Sequence, residues 1–369
     1  MTLKRKENDS WFASLCEHAG DSKEAYHKFN QERKRKLHAL NENSSQAEVR
    51  SVVESYSPDL DPRFRADVES LAKAEQRQSA AWDDFFKAKE QGNAAAQLDA
   101  KTRALRAKAE VNALRLRVNY IKDNVARIWA RFGDPSEPGT EWKDEHLGVL
   151  TRTHTYKPNT LEWLKARENT LGGSDIGPIY EYLEHPGQWT SRNLERIRES
   201  KRPHNDSYYE VKPETGALFR GTQWEPQIAR QYIEEHPEEQ FFHTKDQWSD
   251  GSPAQINLDG ITQNRKTGEM GVLEIKTSSK PEDWANGKIP VGYRAQGLFY
   301  LAKINGGNEP PTFTHVTYAV KVNDSTTIMT RRLEWDDVID PDAPHPKTMQ
   351  EFIPQAMRLF DMWQKEDAL

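Results

Sequence analysis

Apolar residues recur at helical spacing through most of the segment 62–132. Spacings of three and four residues separate Ala104, Ala107, Val111, Leu114, Val118, Ile121, Val125 and Ile128. A stripe sustained over about three and a half heptads is typical of a helix that packs lengthwise against another helix. An earlier amphipathic stretch ends at the turn-forming sequence Gln91–Gly92–Asn93. The pattern predicts an antiparallel helical hairpin with coiled-coil packing over 62–132, inside a mostly helical N-terminal region, 1–135.

The pattern changes after the hairpin, where a run rich in Gly and Pro occupies 133–139. Farther on, β-prone runs alternate with stretches of helical periodicity. The β-prone runs are 254–261, 271–277, 313–322 and 326–333, and the helical stretches lie around 192–201, 221–236 and 291–304. This alternation predicts an α/β or α+β domain over 160–369, preceded by a linker at 136–159.

Composition excludes several classes of protein. No stretch approaches the roughly 18 consecutive apolar residues of a membrane span, in keeping with a mean hydropathy of −0.94. The single cysteine, Cys16, excludes a disulfide framework, a zinc ribbon and an iron–sulfur cluster held by several thiolates. Because the first residues lack the apolar core of a secretory signal, we expect a cytoplasmic protein.

Charge is distributed unevenly along the chain. Residues 1–132 contain 25 Lys and Arg against 20 Asp and Glu, whereas the rest contains 27 against 38. The basic excess is concentrated in 101–131, which has nine basic and two acidic side chains. This segment is a candidate for contact with DNA or with a protein partner, and it also fits the solvated side of a helical hairpin.

Two acids and a lysine meet on a predicted hairpin between 256 and 276. Asp259 is expected at the end of the first strand, and Glu274 and Lys276 are two residues apart on the second. Their side chains therefore share a face, and Ile275 is expected to point into the core. Converging carboxylates suit Mg²⁺ or Mn²⁺, and a nearby lysine can hold or deprotonate a water or neutralise charge on a phosphate. A surface hairpin with solvated charges is the plainer interpretation of these three residues alone.

Four motifs, in a shared order, resemble one nuclease family. An Asp followed after fourteen residues by Glu-x-Lys, in Leu-Asp-Gly and Leu-Glu-Ile-Lys settings, is similar to the signature of the PD-(D/E)XK nuclease superfamily. Segment 221–232 resembles the helix that supplies a further acid there. Segment 293–300 resembles the Tyr-x-x-Gln-x-Gln-x-Tyr helix of the YqaJ / phage lambda exonuclease family, and 163–177 resembles that family's first motif, an Arg seven residues before a Ser in a Gly-x-Ser-Asp setting.

The resemblance implies a metal centre and a restriction-endonuclease-like core. Asp259 and Glu274 would bind the metal together with the backbone carbonyl of Ile275. Lys276 would activate the attacking water. Glu225 would bind a second metal, directly or through water.

The resemblance also implies a pocket for the 5′-phosphate of DNA, formed by Arg167, Ser174 and Gln296. Asn257 stands where the phage exonuclease has a serine in this pocket, and asparagine can still donate a hydrogen bond. The second Gln of the helix motif is replaced by Leu298. Both departures bear on how strongly a 5′-phosphate is selected.

Three of these residues also have a purely structural interpretation. Ser174 suits the cap of a helix that starts at Asp175. Glu225 precedes Pro226, where a helix commonly begins, and would be a first-turn acid. Gln296 would be a buried amide with its hydrogen bonds satisfied.

The expected activity is Mg²⁺- or Mn²⁺-dependent 5′-to-3′ resection of double-stranded DNA in phage-type recombination. By resemblance, a single-strand annealing protein would be a partner, and the chain would form a ring-shaped homo-oligomer such as a trimer. Alternatives are a restriction-type nuclease and a Cas4- or RecB-like nuclease, the Cas4-like form being disfavoured by the missing cysteines. A catalytically idle nuclease fold that binds DNA or protein is a further alternative.

Overall fold

The computed structural model describes residues 23–41, 43–132, 138–154, 160–184, 192–201, 216–244, 246–322, 325 and 327–366. The chain forms two compact units. The first consists of Met1–Ser136, Glu214–Trp224 and Asp324–Thr326, and the second of Glu137–Pro213, Glu225–Asn323 and Thr327–Leu369.

The first unit is helical in its described part. Its helices are α1 (Lys23–Ala39), α2 (Gln46–Glu54), α3 (Pro62–Glu90) and α4 (Ala94–Phe132). α3 starts on a proline, and the side chain of Asp61 caps it by accepting from the backbone N–H groups of Arg63 and Phe64. The turn at Gln91–Asn93 separates α3 from α4, so the predicted helical hairpin is confirmed.

Small residues let α3 and α4 pack closely along the hairpin. Ala74, Ala81 and Ala88 are buried on α3, and Val111 and Leu114 are buried on α4. Ion pairs along the edges of the hairpin join Arg77 to Glu110, Arg103 to Asp84, Arg115 to Glu75 and Arg117 to Asp67. Three of the nine basic side chains of 101–131 therefore contact acids of α3.

The second unit is mixed α/β, as predicted. Its strands are β1 (Thr140–Glu141), β2 (His146–Leu147), β3 (Leu150–His154), β4 (Leu171–Gly172), β5 (Glu239–His243), β6 (Gln247–Ser249), β7 (Ala254–Asn257), β8 (Gly260–Asn264), β9 (Met270–Ser278), β10 (Phe313–Val322) and β11 (Met329–Glu334). Its helices are α5 (Leu161–Ala166), α6 (Gly173–Glu184), α7 (Arg192–Ser200), α9 (Val291–Asn305) and α10 (Met349–Glu366). A further helix, α8 (Gly216–Glu235), contributes its first residues to the first unit and the rest to the second.

The strands form two sheets. The larger sheet has the order β1-β5-β8-β9-β10-β11, and the smaller has the order β2-β3-β6-β7-β4. In the larger sheet β9 pairs with β8 in antiparallel fashion and with β10 in parallel. Tyr300 and Leu301 of α9 and Val272 of β9 share one buried core. This core supports the face of β9 that carries Glu274.

The fold differs from the sequence-based expectation at three places. The expected linker 136–159 contains three strands. β1 belongs to the larger sheet, and β2 and β3 belong to the smaller one. The β-prone run 254–261 divides into β7 and β8, which belong to different sheets. α8 begins at Gly216, so Pro226 lies inside the helix and does not start it.

No helix in the described ranges is long and apolar enough to cross a membrane.

Candidate active site

The β8–β9 hairpin places Asp259 opposite Glu274. Gly260 of β8 pairs with Leu273 of β9, and the residue before Gly260 continues this antiparallel register to Glu274. The Oδ2 atom of Asp259 accepts a hydrogen bond of 2.7 Å from the backbone N–H of Ile275. The two acids that the sequence predicted to converge are therefore neighbours.

Two details of the predicted hairpin need correction. Asp259 does not end a strand of the hairpin: it lies in the break between β7 and β8. Ile275 is only half-buried, whereas the core on the opposite face of β9 includes Val272. The core is not confined to the face that carries Glu274: Leu273, on the same face as Ile275, is fully buried, so the centre of β9 is covered on both faces.

Glu274 is an acid enclosed by polar neighbours, with only 3% of its surface exposed. Its Oε1 atom accepts from Lys276 Nζ at 2.5 Å and from Gln296 Nε2 at 2.7 Å. Its Oε2 atom is buried without a hydrogen-bond partner. A buried carboxylate oxygen left without a partner is costly unless a ligand satisfies it.

The electrostatics of the site favour a bound cation. Burial and the neighbouring charge of Asp259 raise the pKa of Glu274 to about 8. Burial likewise raises the pKa of Asp259, although Lys276 and the Ile275 N–H oppose the shift. Burial alone would lower the pKa of Lys276, but the charges of Glu274 and Asp259 outweigh it and raise this pKa above its usual value. One ammonium group does not relieve the repulsion between two buried carboxylates.

The donor set fits a small divalent cation. Asp259 and Glu274 supply hard oxygen ligands, and the unpartnered Oε2 atom of Glu274 is available for coordination. In the described part of the chain, no three His, Cys, Asp or Glu side chains come together as a metal-binding group. Asp259 and Glu274 therefore form a candidate two-carboxylate site, at which further ligands of a cation would come from the backbone, from water or from the substrate.

Among the described residues, Glu225 does not form a metal-binding group with Asp259 and Glu274. It is exposed on α8, two turns before Tyr232, which hydrogen-bonds with Thr317. Thr317 is the β10 partner of Leu273, so Tyr232 contacts the face of the larger sheet opposite to that of Glu274. The position of Glu225 inside α8 also rules out the interpretation as a first-turn acid.

Arg167 and Ser174 are brought together, as the resemblance implied. Arg167 Nη2 donates to Ser174 Oγ at 3.0 Å, and its guanidinium lies 4.5 Å from the ring centroid of Trp163. A Cβ atom at Gly172 would lie 2.8 Å from Arg167 Nη2, and one at Gly173 would lie 2.3 Å from the Tyr300 ring. The two glycines therefore allow both side chains to approach the backbone of this turn.

Ser174 is not the cap of a helix that starts at Asp175. α6 begins at Gly173, and the carboxylate of Asp175 accepts from the backbone N–H of Gly172 at 2.8 Å. Ser174 is exposed, with its hydroxyl beside Arg167. Its position suits contact with a ligand.

Sequence reasoning missed the buried ion pair between Asp175 and Lys201. Lys201, 2% exposed, donates from Nζ to Asp175 Oδ2 at 2.9 Å and to the Arg167 carbonyl oxygen at 3.2 Å. Burial opposes the charged form of Asp175, but Lys201 and Arg167 outweigh it and lower its pKa. Burial lowers the pKa of Lys201 despite the charge of Asp175. No local sequence signal reveals this pair, because the partners are 26 positions apart.

Gln296 links the pair of Asp259 and Glu274 to the turn of Arg167. Its amide donates to Glu274 and, at 2.7 Å, to the hydroxyl oxygen of Tyr300, whose ring contacts Gly173. The structure therefore places Gln296 beside Glu274 and does not bond it to Arg167 or Ser174. Asn257 is the last residue of β7 and pairs with Gln247 of β6.

These elements coincide with a known domain. A model of the YqaJ-like viral recombinase domain matches residues 162–304. This segment is therefore similar to the YqaJ-like viral recombinase domain. Comparisons with curated proteins and with solved structures gave no match.

The YqaJ-like domain confirms the family resemblance inferred from the motifs. It runs from α5 to α9 and contains every predicted site residue, from Arg167 to Gln296. It covers less than half of the chain, and the α3–α4 hairpin lies outside it. The match therefore applies to the candidate site and leaves the role of the hairpin open.

Proposed function

We propose that this chain is a DNA exonuclease that depends on Mg²⁺ or Mn²⁺ and resects double-stranded DNA from 5′ to 3′ in phage-type recombination. The match to a viral recombinase domain supports a nuclease of recombination in general terms. The observation that carries the finer proposal is the unpartnered, buried Oε2 atom of Glu274, next to Asp259 and Lys276. This arrangement corresponds to the PD-(D/E)XK signature.

Asp259 and Glu274 would hold the cation, and the backbone carbonyl of Ile275 would complete that side. Glu225 would have to act through water or after a movement of α8, because it is not grouped with the pair. When bound, the cation supplies Lewis-acid activation of a water and of the scissile phosphate. The carboxylates of this chain orient that chemistry by fixing where the cation lies.

Lys276 would keep its proton and neutralise charge on the phosphate. Its Nζ atom lies 2.5 Å from Glu274 Oε1 and 5.2 Å from the Tyr293 ring centroid. The raised pKa of Lys276 favours the ammonium form. We therefore prefer charge neutralisation and positioning of the attacking water to proton abstraction.

The turn of Arg167 and Ser174 would bind the 5′-terminal phosphate. A guanidinium offers two parallel donors to a phosphate, and the start of α6 adds the positive end of a helix. Asn257 would supply a further donor. Gln296, which contacts Glu274, would couple this pocket to the metal-site pair.

Assembly with other molecules is proposed from the resemblance alone. A single-strand annealing protein would act on the strand that resection exposes, and a ring-shaped homo-oligomer would enclose the duplex. Cytoplasmic action, in the bacterial host if the chain is phage-encoded, fits these partners.

The proposal is tested by incubating the protein with Mg²⁺ and linear, nicked or circular duplexes carrying either a 5′-phosphate or a 5′-hydroxyl. We expect nucleotide release from linear duplex, faster from 5′-phosphate ends, leaving a 3′ single strand. Cutting of closed circles would favour a restriction-type nuclease. Binding to DNA without any hydrolysis under Mg²⁺ or Mn²⁺ would favour the idle nuclease fold.

A further inference from the structure

A second series of positions with coiled-coil spacing runs along the side of α4 that faces away from α3, and leucines occupy three of its six positions. Leu98, Leu105 and Leu116 are 69%, 50% and 73% exposed. They belong to a series in which spacings of four and three alternate and in which Thr102 and Asn112 are polar: Leu98, Thr102, Leu105, Ala109, Asn112 and Leu116. We refer to this series as the outer stripe.

The outer stripe repeats the spacing of the stripe that packs on α3. The packed stripe contains the buried residues Ala100, Ala104, Ala107, Val111, Leu114 and Val118. Each lies two positions after a member of the outer stripe, which corresponds to about 200° around a helix. α4 thus presents coiled-coil spacing on two opposite faces, and only one of them is covered by α3.

Basic side chains flank the outer stripe at heptad intervals. Lys101, Lys108 and Arg115 are seven residues apart and lie directly before stripe positions 102, 109 and 116. Lys122 continues this interval, but it precedes Asp123, which pairs with Arg220, so the outer stripe ends at Leu116. Lys101 and Lys108 are exposed, and Arg115 is paired with Glu75 of α3. Residues at this flanking position determine which helix pairs with which.

The flanking charge opposes pairing with a second copy. In an antiparallel pair of copies, the basic flanks would face each other. In a parallel pair, Lys101 would face Arg106 of the other copy. Like charges at these positions are unfavourable in both orientations. An acidic flank on the incoming helix would be attracted instead.

We propose that the outer stripe of α4 docks an amphipathic helix of a partner protein whose apolar seam is flanked by acidic residues. Leucines of the stripe bury the partner's seam, while Lys101 and Lys108 select its charge. Leucines at coiled-coil positions are the side chains that insert between those of a facing helix. The surface lies outside the segment that matches the YqaJ-like domain.

The test uses the full chain and two synthetic peptides of three heptads each. Both have leucine at the core positions, and the flanking positions are all glutamate in one and all lysine in the other. Binding is followed by fluorescence anisotropy of the labelled peptide. We expect the glutamate peptide to bind at least about tenfold more tightly than the lysine peptide, with the difference shrinking as salt increases.

Two pairs of variants locate the site. Leu105→Lys/Leu116→Lys should abolish binding of the glutamate peptide and, because both leucines are exposed, should leave the helical content unchanged. Lys101→Glu/Lys108→Glu should reverse the preference between the peptides. Lys87→Glu/Lys89→Glu makes the same charge change on exposed positions of α3 and should keep the original preference.

Several results would overturn the proposal. These are no binding of the glutamate peptide, equal binding of the two peptides, or an unchanged preference in Lys101→Glu/Lys108→Glu. A wild-type oligomer in sedimentation that dissociates in Leu105→Lys/Leu116→Lys would show instead that a second copy covers the outer stripe. If Leu105→Lys/Leu116→Lys fails to fold, the peptide preference of Lys101→Glu/Lys108→Glu still decides the test.

Discussion

At the scale of single residues, the arrangement that suits the candidate site for chemistry also lowers the stability of the folded protein. Glu274 is buried beside another acid and keeps one oxygen without a partner. Such an arrangement destabilises the metal-free protein. Groups of this kind are found at functional sites, where a bound ligand interacts with them. Two predictions follow from named side chains.

The first prediction concerns the pH dependence of stability without metal. The pKa of Glu274 is about 8 in the folded protein and near 4.5 when unfolded. Between these values the folded state holds a proton that the unfolded state has lost. The free energy of unfolding should therefore fall as pH rises from about 4.5 to about 8, by a few kcal/mol at most.

Thermal unfolding in the presence of a chelator measures this slope. Glu274→Gln should flatten it and raise the melting temperature at pH 8 above that of the wild type. Glu282→Gln, a change at an exposed glutamate, should leave the slope unchanged. A wild-type slope retained in Glu274→Gln would contradict the assigned pKa.

The second prediction concerns the choice of DNA end. Arg167→Ala should slow digestion of 5′-phosphorylated ends by about one to three orders of magnitude, because the terminal phosphate loses its positioning contact. Digestion of 5′-hydroxyl ends should change little. The measurement is the ratio of initial rates on the two substrates, with Arg265→Ala, an exposed arginine in the β8–β9 turn, as the control. A ratio unchanged in Arg167→Ala would remove this residue from end recognition.

At the scale of elements, the ion pair of Lys201 and Asp175 ties the end of α7 to the start of α6. Lys201 also donates to the Arg167 carbonyl oxygen, so the pair holds the backbone of the proposed phosphate pocket. Lys201→Met should destabilise the fold by about 3–5 kcal/mol, because it leaves the Asp175 charge buried and unpaired. Asp175→Asn/Lys201→Met should recover much of this stability.

The readout that separates positioning from stability is the rate ratio between 5′-phosphate and 5′-hydroxyl ends. We expect this ratio to fall in the double variant even where its melting temperature approaches that of the wild type. An unchanged ratio would make the pair purely structural.

Periodicity predicts elements better than it predicts their boundaries. The helical hairpin and most β-prone runs were confirmed because each repeats one period over many residues. The run 254–261 gave no sign of its division, since the break at Leu258–Asp259 is only two residues long. Because proline is common in the first turn of a helix, Pro226 was expected to lie at a helix start, but it lies inside α8.

The candidate site shows the same limit. Asp259, Glu274 and Lys276 are close in sequence on one hairpin, so strand alternation alone brought them together. The contacts of Gln296 with Glu274 and of Lys201 with Asp175 join distant segments, which local patterns cannot reveal. Glu225 was assigned from a motif, and its position on α8 separates it from the metal-site pair.

At the scale of the whole molecule, the distribution of charge bears on how DNA is bound. The chain after residue 132 has an excess of acidic residues, so binding depends on a local basic surface. If 101–131 contacts phosphates, the affinity of the full chain for duplex DNA should fall more steeply with salt than that of the fragment 137–369. This fragment contains every strand and the whole YqaJ-like domain, and we expect it to retain some hydrolysis.

The measurement is the slope of log affinity against log salt concentration for both proteins on the same duplex. Three arginines of the segment already contact acids of α3, which limits the expected difference. Equal slopes would assign the hairpin to protein interaction alone.

We propose that Asp259 and Glu274 form the metal-dependent hydrolytic centre. The most direct measurement is nucleotide release from linear 5′-phosphorylated duplex under Mg²⁺ by Asp259→Asn and Glu274→Gln, beside Asp283→Asn and Glu282→Gln as controls at exposed acids. We predict that both site variants lose hydrolysis while still binding DNA, and that both controls match the wild type. Wild-type rates in either site variant would contradict the account.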